Sequence, residues 1–186
     1  MWGLSSMATL GLGELFMKVA RGEEGGLESE LLKAARKSLE SLLEEVAKRV
    51  GFEAKPDMVI ARTSIAPVMA AAALAWKDDR ILKLLLPSKP LPGWMALQEL
   101  GDILEEAGIA RVYRVDMSPK TRPTARDVAT KTARIVKACS PRVVDVTDAP
   151  PYTIAPLYSA GVRVLTVLVP LEYAVVFQKF SFITPL

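Results

Sequence analysis

Any chemistry in this chain has to be done without histidine, because none occurs among its 186 residues. That removes imidazole acid–base catalysis, His metal ligands and Ser-His-Asp triads. The single cysteine, Cys139, allows neither an intrachain disulfide nor a zinc site built on several thiolates. Cys139 falls near the end of a predicted helix, where a small buried apolar residue is the plainer reading than a reactive thiol. No Gly-rich dinucleotide fingerprint and no Walker A motif is present. A general base would have to be Asp, Glu, Lys or Tyr. Asp145, Asp148, Lys89 and Lys120 are available, but spacing unites none of them. The sequence therefore assigns no catalytic residue, no metal and no cofactor.

Two short segments share a pattern that suits anion binding. One reads Arg62-Thr63-Ser64-Ile65-Ala66-Pro67, the other Asp145-Val146-Thr147-Asp148-Ala149-Pro150-Pro151. In each, a hydroxyl or carboxylate stands at an N-cap position and proline falls in the first turn of a predicted helix. Free N–H groups and partial positive charge at such a terminus favour phosphate. Thr63, Ser64 and Thr147 could add hydroxyl donors. Asp148 works against phosphate unless it caps the helix or binds a cation. Ser, Thr and Asp before proline are also ordinary helix starters, so either segment alone reads as capping. The candidate ligand-binding set is Arg62, Thr63, Ser64, Ile65, Thr147, Asp148, Ala149 and Pro150, with Lys89 and Lys120.

A third feature is basic. Between 109 and 143 lie Arg111, Arg114, Lys120, Arg122, Arg126, Lys131, Arg134, Lys137 and Arg142, against Asp116 and Asp127. Within the predicted basic helix 122–137, Arg122, Arg126, Arg134 and Lys137 recur at roughly helical spacing. Such a face suits RNA or another anionic ligand, or is simply the solvated side of a surface helix. No aromatics are interleaved, so base stacking has no platform. The net charge of +3 is too small to decide between these readings.

The elements that must position these residues are legible. From residue 58, apolar β-branched runs alternate with helical patterns. Strands are expected at 58–63, 80–87, 110–117, 142–147 and 162–170, with an edge strand in FQKFSFITPL. Helices are expected at 65–77, 94–108, 124–138 and 149–161. Gly108 and Gly161 close two of them. Right-handed β-α-β crossovers then give an α/β, Rossmann-like parallel sheet of order 3-2-1-4-5 with helices on both faces. The first and fourth strands meet at the switch point, where ligands bind beyond the carboxyl ends of strands. Both candidate segments fall there.

Residues 1–57 form a helical extension to the domain at 58–186. An apolar segment at 4–20 and a hinge, RGEEGG at 21–26, precede an amphipathic helix at 27–50. Its apolar stripe is Leu31, Ala35, Leu39, Leu42, Val46 and Val50. This stripe suits packing onto the chain's own sheet or a coiled-coil contact between copies.

Hydrophobic residues make up 51% of the chain and charged residues 24%, which excludes wholesale disorder. Asparagine is absent and glutamine occurs only at 98 and 178, while Glu, Lys and Arg abound. That balance suits a cytoplasmic protein of a hyperthermophile. No segment reads as a targeting signal or a membrane helix. The apolar opening lacks early positive charge, and the stretch at 157–177 is broken by Gly161, Arg163, Pro170 and Glu172.

The segment VVDVTDAPPYTIAPLYSAGVRVLTVLVP resembles the CARF (CRISPR-associated Rossmann fold) family through Asp145, Thr147, Gly161, Val162 and Thr166. Arg62-Thr63-Ser64 resembles the turn after that family's first strand. The resemblance spans about residues 58–170. It implies a homodimer that binds cyclic oligoadenylate across its two-fold axis in an archaeal CRISPR system, as a sensing or interaction module. Some members, the ring nucleases, cleave that ligand without metal. In place of the family's two glycines and basic residue stand Asp148, Ala149, Pro150 and Pro151.

Overall fold

A computed structural model describes residues 10–23, 25–50, 55–88, 94–117, 124–169 and 173–177; at 159, 165–169 and 173–177 only the backbone is considered. The expected Rossmann-like sheet is present. Its parallel strands are β1 (Met58–Ala61), β2 (Leu82–Pro87), β3 (Ala110–Val115), β4 (Val143–Asp148) and β5 (Arg163–Val169). They lie in the order β3-β2-β1-β4-β5. β6 (Tyr173–Phe177) adds an antiparallel edge beside β5, just upstream of the expected position; residues 178–186 lie outside the described residues.

Helices α3 (Ile65–Lys77) and α4 (Met95–Glu106) cover one face, and α5 (Ala125–Cys139) and α6 (Ala155–Ser159) the other. Side chains alternate between the two faces, as strand geometry requires. Val59, Ala61, Leu84 and Leu86 pack with α3 and α4, whereas Met58, Ile60, Leu85 and Val144 pack with α5 and α6. Gly108, at φ 72°, closes α4: its amide donates to Glu105 O, and the Ile109 amide donates to Leu104 O.

The N-terminal helices α1 (Leu12–Ala20) and α2 (Leu27–Arg49) form an outer layer. α2 packs on α3 and α4 rather than on the sheet. Hence Ile65–Ala75 is buried all round: one side of α3 meets strands, the other meets α2. The apolar stripe of α2 is covered within the chain, with Leu31, Leu42 and Val46 fully buried. Ser38, at φ −157° and ψ 69°, kinks α2 midway. Among the described residues no helix is long and apolar enough to cross a membrane.

Candidate functional site at the carboxyl ends of β1 and β4

β1 and β4 are neighbours, so the two candidate segments do leave adjacent strands at one crevice. The register there is irregular. Val59 pairs with Asp145, but Ala61 pairs with Asp148, so β4 carries one extra residue. Regular pairing would have set Thr147 beside Ala61. The bulge sets Asp148 there instead, on the face that α3 covers.

Asp148 closes the start of α3. Its Oδ2 accepts hydrogen bonds from the backbone amides of Arg62 at 2.8 Å, Thr63 at 2.5 Å and Ser64 at 2.7 Å. Its Oδ1 accepts from the Thr63 hydroxyl at 2.9 Å. A carboxylate therefore occupies the position in which an anion would sit at this terminus. This explains why β1 ends at Ala61 and not at Thr63: the next three amides turn toward Asp148. Ser64 is the N-cap by position, but its side chain makes no cap hydrogen bond. The α3 start has been capped from another strand.

The second helix origin differs from the expectation. No helix begins at Ala149. A 3-10 turn spans Pro151–Thr153, and α6 begins only at Ala155 and runs for five residues. Pro150 and Pro151 explain the delay, since proline disfavours helical backbone in the residue before it and supplies no N–H. The crevice thus has one full helix N-terminus, not two. Thr147 also turns inward: its amide and hydroxyl donate to Asp145 Oδ1 at 2.9 and 2.5 Å.

Asp145 is fully buried, and its Oδ2 has no hydrogen-bond partner among the described residues. Burial pushes this carboxyl above the ordinary carboxylate range, Thr147 pulls it back, and the nearby Asp148 charge adds to the rise. The pair combines a carboxyl favoured in its neutral form with a carboxylate held by amides. The sequence offers Asp145 only as one of four available bases; its burial follows from its place on β4, a central strand, opposite Val59.

The remaining candidates separate. Arg62 is exposed, and its side chain has no ion-pair or hydrogen-bond partner among the described residues. Ile65 and Pro150 are buried packing residues. Lys89 and Lys120 lie outside the described residues. Among the described residues no group of three His, Cys, Asp or Glu side chains could hold a metal ion. Two hydroxyls at the crevice meet carboxyl groups, Thr63 donating to Asp148 and Thr147 to Asp145; the amides already hold Asp148, and Asp145 is buried.

Compared with known proteins, the chain matches no family model, no curated protein and no solved structure.

Proposed function

We propose that the chain is a CARF-like module of an archaeal CRISPR system that works by interaction as a homodimer, without catalysis. The strand order, the adjacency of β1 and β4 and the Asp145-Thr147 signature support the kinship. One observation carries the choice of interaction over ligand cleavage: the anion position at the start of α3 is filled from within by Asp148. A phosphate of cyclic oligoadenylate reaches those amides only by displacing this carboxylate. It would meet no glycine-rich turn in 148–151 to lie against.

The test is isothermal titration with cyclic tetra-adenylate and hexa-adenylate, alongside light scattering for mass. The wild-type protein is expected to be a dimer that binds neither ligand at micromolar concentration. Asp148→Gly frees three amides and restores a glycine, and it should gain binding. Tight wild-type binding, or turnover of the ring, would overturn the interaction-only reading. Failure of the folded Asp148→Gly dimer to bind either ring would remove the CARF kinship.

A further inference from the structure

Among the described residues, α5 gathers cations that have no carboxylate partner. Elsewhere several cations face carboxylates: Lys33–Glu30 at 2.8 Å, Arg36–Glu99 at 2.9 Å, Lys48–Glu45 at 2.8 Å, Lys55–Asp78 at 2.7 Å and Arg114–Asp102 at 2.5 Å, while cations without an ion pair among the described residues, such as Lys37 and Arg163, stand singly. On α5 the pattern stops. Arg126, Lys131, Arg134 and Lys137 are exposed, and none has an ion-pair partner among the described residues.

Helix geometry puts them on one strip. At about 100° per residue, Arg126, Arg134 and Lys137 fall within an arc of about 80°, and Lys131 widens it to about 140°. Val128, Thr132 and Val136 are buried on the opposite side. The strip runs about 16 Å along the helix. Arg111, exposed on β3, extends it at the carboxyl end, because Tyr113 lies beside both Arg111 and Cys139. The one carboxylate on the arc, Asp127, is committed to the capping box: it accepts from the Thr124 amide at 3.0 Å and from the Thr124 hydroxyl at 2.7 Å.

We infer that this strip docks the phosphate backbone of double-stranded RNA. Five cations against one engaged carboxylate call for a polyanion. α5 presents no aromatic side chain on the arc, and Tyr113 at its end is half-buried, so single-stranded bases would find no row of rings to stack on. α5 also lies flat against the sheet along its buried side. A flat strip meets the wide, shallow minor groove of an A-form duplex and its flanking phosphates. It is poorly shaped to enter the major groove of DNA, which admits a projecting helix. This inference is independent of the reading of the β1–β4 crevice.

Fluorescence polarisation of the full chain with a labelled RNA duplex tests it. Binding should weaken about 60-fold between 50 and 200 mM salt, as expected for three to four phosphate contacts with a log–log slope of about −3. Lys131→Glu/Arg134→Glu should lose at least about tenfold in affinity and flatten that slope. Arg126→Ala/Lys137→Ala gives a milder loss in a variant whose fold is not at risk. Lys33→Glu, on α2, should bind as the wild type does. Unchanged binding in both α5 variants overturns the proposal, as does salt-insensitive binding. Tighter binding of a DNA duplex or single-stranded RNA of the same sequence also overturns it.

Discussion

Asp57 and Asp148 staple the same pair of strands from opposite ends. Asp57, just before β1, accepts from the amides of Arg142 at 2.7 Å and Val143 at 3.3 Å, where β4 begins. Asp148, at the end of β4, accepts from the amides that follow β1. Each strand of the switch-point pair sends one carboxylate to the other's backbone. Asp57 is further held by Arg80 at 3.1 Å, in a network that continues through Asp78 to Lys55.

The two staples should be separable in stability. Asp148→Ala leaves three amides without their carboxylate, and we predict a loss of about 2 kcal/mol. Hydrogen exchange at residues 62–64 should quicken while that at 142–143 stays as it was. Asp57→Ala should do the reverse at similar cost. The staples share no partner, so the double variant should lose the sum of the two to within about 0.5 kcal/mol. A double variant no worse than either single one would mean that the pair opens as a unit.

Asp145 predicts a pH dependence of a particular sign. Burial raises its carboxyl in the folded chain, so the folded state holds a proton that the unfolded state gives up. That contribution is present below the ordinary carboxyl range. It is lost as pH rises from there through the raised folded value. Asp145→Asn keeps an acceptor for Thr147 and cannot ionise. Its melting temperature should match the wild type near pH 4 and exceed it by several degrees at pH 8. A constant difference across that range would rule out a buried neutral carboxyl.

Gly101 on α4 stands against the sheet. A Cβ at this position would come within 2.7 Å of Leu86 Cδ1, and Leu86 is fully buried. Alanine is the better helix former by about 1 kcal/mol, but overpacking at a buried leucine costs about 1–3 kcal/mol. Gly101→Ala should therefore be destabilising by about 1 kcal/mol. In a Leu86→Val background the same change should turn neutral or stabilising, as a denaturant-melt double-mutant cycle would show.

Leu43 tests what α2 is for. It is fully buried in the layer over α3 and α4. Leu43→Ala should cost about 3 kcal/mol. The drop in melting temperature should not vary with protein concentration, because the contact lies within one chain. A concentration-dependent drop would place this face between copies.

The strand order could be argued from the sequence because β-branched runs between helices leave few right-handed windings. The amphipathic register of α5 followed likewise from spacing. Three features could not be read in this way. The stripe of α2 suited the sheet or a second chain, and its partners are instead α3 and α4. The paired prolines at 150 and 151 delayed a helix that composition alone had started at Ala149.

The most consequential was the bulge in β4. One inserted residue exchanges the side chain beside Ala61, and so replaces a hydroxyl expected at the crevice with a carboxylate that fills it. The sequence by itself determined the fold class, the meeting of two segments at one crevice and the lack of imidazole chemistry. These rest on residue types and on local periodicity. Only the tertiary structure decided what occupies that crevice, because strand register is set by pairing across the sheet, where a shift of one residue turns each side chain to the other face.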